Sequence, residues 1–266
     1  MSHQSILYDT EDRVAVIRFN RPQALNALTP ELMDAFGEAL TRAANDVGVG
    51  AILITGEGRG FSAGADLAHS LKNPVLDDEG NLDLRRLLES HYNPVVQKMA
   101  RLPKPIIAAV NGMAAGAGAS LALMADLTIA ARSAYFLQAF VNVGLIPDAG
   151  GTWLLPQTIG MQRAMGLALL GEKLPAELAK EWGLIWDVAD DDQLLTSSMH
   201  LAKRLATGPA LAIARIKSAI RSAPENDLDS QLSLEGMFQR ECGVSKDFME
   251  GVVAFTQKRK PSFSGS

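Results

Sequence analysis

Cysteine is nearly absent from this chain. Cys242 stands alone among 266 residues, so no internal disulfide can form and nothing in the thiol content ties the fold to an oxidising compartment. Histidine is sparse and scattered at His3, His69, His91 and His200, none spaced from another histidine or from Cys242 as tetrahedral zinc requires. No metal is expected. Long hydrophobic runs are missing too. No stretch approaches the roughly 20 apolar residues that cross a bilayer, and residues 1–10 are polar, unlike a basic start followed by an apolar segment. A cytoplasmic location without a membrane partner is the default expectation. Positive charge is in the minority, with a net charge of −5, which argues against a nucleic-acid partner, because phosphate neutralisation needs clustered Lys and Arg. The local exception is Lys258-Arg259-Lys260, preceded by Phe255. Such a cluster suits either a solvated tail or the phosphates of a small ligand.

What is present is an ordinary globular composition, 47% hydrophobic and 21% charged, long enough to bury a large core. Short β-rich runs at 14–20, 51–55, 106–110, 127–131 and 184–188 alternate with helical patterns, the signature of an α/β fold. Between the first two, Thr29 and Pro30 form a helix start, followed at helical spacing by Leu32, Met33, Phe36, Leu40 and Ala43. Turn formers and acids fill 73–81, the segment with the composition of a mobile loop, ahead of a helix predicted over 82–101. Beyond residue 190 strand signals cease and helices are predicted over 191–204, 209–222, 228–242 and 247–256. The chain is therefore divided into an α/β core, 1–190, and a helical part, 191–266.

Three segments invite chemistry. In Gly144-Leu145-Ile146-Pro147-Asp148-Ala149-Gly150-Gly151-Thr152-Trp153 one carboxylate sits between an apolar run and a glycine pair. Asp148 either caps the next helix or moves protons in an apolar pocket. The segments Gly56 to Leu67 and Asn111 to Ser120 are rich in glycine and alanine, each follows a strand and each opens a helix. Neither has the glycine spacing of a Rossmann turn or the Gly-Lys-Ser/Thr ending of a phosphate loop, so hydride transfer and nucleotide hydrolysis lose support. Small residues here serve tight packing, or they bring free backbone N–H groups up to a ligand. Two such donors aimed at one oxygen make an oxyanion hole.

These two loops, together with the segment from Asn20-Arg21-Pro22 to Leu25-Asn26-Ala27-Leu28, resemble the crotonase (enoyl-CoA hydratase/isomerase) superfamily over nearly the whole chain. The resemblance implies a spiral of ββα units with a helical C-terminal trimerisation part, a homotrimer or dimer of trimers, and an acyl-CoA substrate with no separate cofactor. It places the oxyanion hole at the N–H groups of Ala65 and Ala117, the latter more often glycine in the family. The two glutamates that hold water in hydratases fall at Ser120 and Phe140, neither of which can act as a base. Asp148 falls where dienoyl-CoA isomerases carry a catalytic aspartate.

Tyr92-Asn93-Pro94, Leu102-Pro103-Lys104-Pro105 and residues 144–156, 163–171 and 182–186 are similar to the branch that rearranges a ring 1,2-epoxide of phenylacetyl-CoA to an oxepin and shifts 3,4 double bonds to 2,3. The resemblance thus implies an isomerase working through an oxyanion-stabilised enolate in phenylacetate catabolism, with Asp148 as base and then acid. Burial among Phe140, Leu145 and Ile146 is expected to strengthen that base. CoA is expected at Gln23, Leu25, Ala63, Ala65, Asp66, Leu67, Phe255 and Lys258, with Lys260 nearby and Asp66 first of all shaping its loop. The acyl pocket is assigned to Leu137, Phe140 and Leu145, although Leu137 and Phe140 are equally what a plain core would show. An enoyl-CoA hydratase, a dienoyl-CoA isomerase and a non-catalytic acyl-CoA or RNA-binding relative stay open as alternatives.

Overall fold

In the computed structural model, which describes residues 4–265 and so leaves His3 outside the described residues, the alternating patterns resolve into two sheets and intervening helices. β1 (Ile6–Glu11) and β2 (Val14–Phe19) form an antiparallel hairpin. In α1 (Pro30–Asn45) the Thr29 hydroxyl accepts the Leu32 N–H and Pro30 occupies the first turn, where its missing N–H is not needed. Leu32, Met33, Phe36, Leu40 and Ala43 are all buried. The predicted stripe is thus the face that meets the core.

From there one plan repeats: a strand in the large sheet, a strand in the small sheet, then a helix. β3 (Ala51–Gly56), β4 (Gly60–Ser62) and α2 (Leu67–Lys72) make the first turn. After α3 (Leu84–Leu87) and α4 (Asn93–Arg101), β5 (Ile106–Val110), β6 (Met113–Ala115) and α5 (Ala117–Met124) make the second. β7 (Leu127–Ala131), β8 (Tyr135–Leu137) and α6 (Gly151–Leu170) make the third. β9 (Lys173–Pro175), α7 (Ala176–Glu181), β10 (Asp187–Ala189), α8 (Leu194–Ala206), α9 (Ala210–Ser222), α10 (Leu228–Gly243) and α11 (Lys246–Thr256) complete the chain. The result is the α/β spiral of ββα units that the sequence resemblance implied.

The large sheet runs β1-β2-β3-β5-β7-β10 and is parallel from β2 onward; the small sheet runs β4-β6-β8-β9, with β9 antiparallel. β3 and β5 are buried at every position, as parallel strands covered on both faces are. The strand expected at 184–188 starts later, at Asp187, because Gly183 turns at φ +78° and the chain joins β7 only once the Trp186 N–H reaches the Thr128 carbonyl. Within 73–81 the Asp77 carboxylate accepts the Glu79 and Asn81 N–H groups and Leu76 bridges Leu82, so the segment is a hydrogen-bonded turn. The helix predicted over 82–101 contains a wider π turn, Leu88–Tyr92, which buries Tyr92; such turns recur at functional sites.

Helices follow Ala189, as the sequence led one to expect, but their packing is uneven. α8 lies on β3 and β5 and buries Leu194, Ser198, Ala202 and Ala206, so it is part of the core layer. α9 is fastened differently. Its Lys217 and Arg221 side chains donate to the Asp126 carboxylate at 2.6 and 3.0 Å, and Asp126 also accepts the Ile106 N–H at 2.7 Å.

Candidate active site

Three neighbouring strands of the small sheet, β4, β6 and β8, run parallel, so the loops leaving their C-terminal ends meet at one edge. The loop after β4 carries Ala65, the turn after β6 leads through Gly116 into Ala117 at the start of α5, and the segment after β8 carries Phe140. Each of the first two is preceded by a glycine whose conformation L side chains resist: Gly64 at φ +87° and Gly116 at φ +50°. A Cβ on Gly64 would stand 2.8 Å from the Ala115 carbonyl oxygen, and one on Gly116 would stand 3.9 Å from Gly64 Cα and 3.7 Å from the Phe140 ring. The two backbones therefore touch, with Phe140 beside them.

Peptide geometry then fixes where the two amides point. A trans peptide holds its C=O and N–H in opposite directions, and no cis bond occurs among the described residues. The Gly64 carbonyl accepts the Leu28 N–H at 2.8 Å, which turns the Ala65 N–H away from Leu28. The Gly116 carbonyl accepts the Ser120 N–H at 3.1 Å, which turns the Ala117 N–H out of the first turn of α5, where such donors have no intrahelical partner. Neither amide finds a backbone acceptor among the described residues.

A side chain that sequence reasoning passed over holds the first loop. Asn26, fully buried, accepts the Arg21 N–H at 2.8 Å and donates to the Glu57 and Gly60 carbonyls at 2.9 and 2.8 Å. Its own carbonyl accepts the Ser62 hydroxyl, which in turn accepts the Gly64 N–H. Its signal was a lone amide within Leu25-Asn26-Ala27-Leu28. Asp66 caps α2 through the His69 N–H and pairs with Arg21 at 2.9 Å; these contacts hold its carboxyl below the usual range even though burial opposes them. Loop shaping is its visible role.

Asp148 does not cap a helix with its side chain. α6 begins behind Gly150, with no side-chain cap, and the Asp148 main-chain carbonyl takes the Gly151 N–H. One carboxylate oxygen is buried without a partner among the described residues, and burial pushes the carboxyl up to about 6. Tyr92 lies within electrostatic reach: burial chiefly, and then the Asp148 charge, raise its hydroxyl. That hydroxyl donates to the Leu28 carbonyl at 3.0 Å, so Tyr92 is tied to the residue that anchors the Ala65 loop. The expected neighbours differ. Phe140 is buried, but Leu145 is 39% and Ile146 79% exposed, because the left-handed Gly144 and the Leu145 N–H bond to the Phe140 carbonyl turn the chain outward.

The remaining predicted residues divide by place. Leu25 lies against the first loop, its carbonyl accepting the Ala63 N–H, with Gln23 exposed beside it and Leu67 exposed at the start of α2. Leu137 at the end of β8 accepts the Gly116 N–H with its carbonyl. Phe255 and Lys258 are exposed at the end of α11, which packs on α10. Ser120 is buried, with a long 3.5 Å bond to the Gly116 carbonyl. A cleft between α1 and α4 is lined by Asp34, His91 and Lys98, and another between α4 and α9 by Arg101, Trp153 and Arg221; Asp148 lines neither.

The chain matches the protein family described as enoyl-CoA hydratase/isomerase over residues 9–266. It is 50% identical to the 1,2-epoxyphenylacetyl-CoA isomerase of Escherichia coli, over 98% of each chain. It is 46% identical to a protein of Rhodobacter capsulatus named "Probable enoyl-CoA hydratase", over 100% of each. A crystal structure of enoyl-CoA hydratase from Bacillus anthracis superposes with a TM-score of 0.91 at 32% identity, covering 99% of this chain and 100% of that one.

Proposed function

The chain belongs to the enoyl-CoA hydratase/isomerase family, and from that membership we propose that it is an isomerase that moves a proton within a bound acyl-CoA. The observation that carries this reading is the Asp148 carboxylate, one oxygen of which is buried without a partner among the described residues, with Ser120 and Phe140 where a water-activating acid pair would stand. The thioester oxygen sits between the N–H groups of Ala65 and Ala117. Asp148 removes a proton from the carbon beside the thioester; the C–H electron pair becomes the enolate double bond and its charge collects on the held oxygen. With a 3-enoyl chain, protonated Asp148 returns the proton two carbons further on and the double bond comes to lie at 2,3. One group serves as base and then acid.

The substrate of this reading is 1,2-epoxyphenylacetyl-CoA, rearranged to oxepin-CoA in phenylacetate catabolism, with Δ3,Δ2-enoyl-CoA isomerisation as a side activity. Its support is the 50% identity to the Escherichia coli isomerase. CoA lies along Gln23, Leu25, Ala63, Asp66 and Leu67, and the acyl group against Leu137, Phe140 and Leu145. Phe255 and Lys258 reach CoA from a neighbouring subunit of a trimer or dimer of trimers, in the cytoplasm; a monomer in sedimentation would remove that contribution. Product analysis with the epoxide and with 3-hexenoyl-CoA tests the reading. Turnover of both by the wild type, and at least about a thousandfold loss in Asp148→Asn with acyl-CoA still bound, are expected. Rapid hydration of crotonyl-CoA with neither isomerisation would replace it with a hydratase.

A further inference from the structure

One buried hydroxyl reaches the first loop from a different element. The Leu28 N–H donates to the Gly64 carbonyl at 2.8 Å, and the Leu28 carbonyl accepts the Asp66 N–H at 2.9 Å, so Leu28 brackets Ala65 as a short parallel bridge. The Gly64 carbonyl and the Ala65 N–H belong to one flat peptide unit. Whatever fixes Leu28 therefore bears on the direction of that N–H. The second donor to the Leu28 carbonyl is the Tyr92 hydroxyl, at 3.0 Å.

Tyr92 is suited to be a fixed point. It is 2% exposed, and burial chiefly raises its hydroxyl, which keeps the proton on the oxygen as a donor. It ends the π turn Leu88–Tyr92, in which the Asn93 N–H reaches back to the Leu88 carbonyl. Successive residues of an α-helix point about 100° apart, so one extra residue in a turn re-aims the side chains before it relative to those of α4. The preceding His91 is tied to Asp34 of α1 by an Nδ1 to Oδ1 contact of 2.8 Å, and α1 starts at Pro30, just beyond Leu28. The turn and the bridge are thus fastened to the same helix.

We propose that Tyr92 is a positioning residue for the thioester site: its hydroxyl holds Leu28, and through Leu28 the Ala65 N–H, on the place where enolate charge gathers. Without the hydroxyl, Leu28 and the loop keep their mutual bonds but lose the tie to the buried ring. The N–H then moves off the oxygen. The cost falls on the transition state, where that oxygen carries most charge, and not on the holding of CoA.

The inference rests on the reading of the Ala65 N–H as an oxyanion donor, and the two fail differently. Full-length wild type, Tyr92→Phe and a protein carrying 3-fluorotyrosine at position 92 are assayed with 3-hexenoyl-CoA. Infrared spectra of bound hexanoyl-CoA, isotope-labelled at the carbonyl carbon, report how strongly the thioester is polarised. In Tyr92→Phe, kcat is expected to fall at least about tenfold with KM changed by less than about threefold, and the carbonyl band to lose about half or more of its downshift from the value in water. The 3-fluorotyrosine protein retains the hydroxyl and is expected to match wild type in both. An unchanged band or kcat in Tyr92→Phe overturns the assignment, as does insoluble protein or a KM that rises as far as kcat falls, which would make the hydroxyl structural. A wild-type band with no downshift would instead sink the oxyanion reading itself.

Discussion

In the proposed role of Asp148, stability is traded for chemistry. Its carboxyl is raised by burial to about 6, so the base form predominates only above that pH. The expected kcat/KM falls about tenfold per unit below pH 6, and a profile that stays flat to pH 4.5 would remove Asp148 as the base. The same shift has a stability sign. Below the ordinary aspartate range, folded and unfolded chains are both protonated and the site carries no penalty. Above about 6 the folded chain must hold a partly desolvated charge while the unfolded one holds it in water. Stability is therefore lost as pH rises through this window. Asp148→Asn should be more stable than wild type at pH 7, by on the order of 1–3 kcal/mol after allowance for partial exposure, and the gap should shrink towards pH 4. Urea denaturation at both values measures it.

At the scale of elements, the proposed oxyanion arrangement is a property of strand ends. β4 and β6 are parallel neighbours, so their following loops must meet, and glycines at positive φ aim the next amide in each. Gly64→Ala puts a methyl 2.8 Å from the Ala115 carbonyl at φ +87° and should displace the Ala65 N–H. A kcat loss of about 10²- to 10³-fold follows from losing one such donor, with acyl-CoA binding affected less; unchanged kcat would show that the amide is not used. The sequence disclosed these loops through their small residues, and disclosed α1 through Thr29, Pro30 and its apolar spacing. It did not disclose β4, β6, β8 or β9, because three residues carry no periodicity and their pairing is set by distant partners. Nor did it disclose the outward turn at Leu145 and Ile146, which depends on the 3-10 helix before Gly144.

For the whole molecule, the C-terminal helices are held to the core by a charge cluster. Asp126 joins Lys217, Arg221 and the Ile106 N–H, and Lys217 also donates to the Lys104 carbonyl. Burial holds the Lys217 ammonium below its ordinary value, and Asp126 is the main group opposing that. Asp126→Ala should cost about 3–5 kcal/mol, since a mostly buried charge would lose its partner, and should expose residues 209–265 to protease before the core opens. Equal protease resistance in variant and wild type would show that apolar packing alone docks α9. Leu228, Leu232, Met237, Phe248 and Met249 remain exposed on α10 and α11, a face consistent with the proposed subunit contacts.

The sequence by itself determined the alternation of strand and helix, the buried stripe of α1, the helical ending and the presence of one acid in an apolar setting, because each follows from local propensity and spacing. Tertiary structure alone decided that Gly64 and Gly116 touch, that the Tyr92 hydroxyl reaches the Leu28 carbonyl, that Asn26 ties three segments, and that the Gln138 carboxamide oxygen is buried without a partner among the described residues. Those facts depend on which strand ends lie side by side, and that is fixed by long-range pairing and burial.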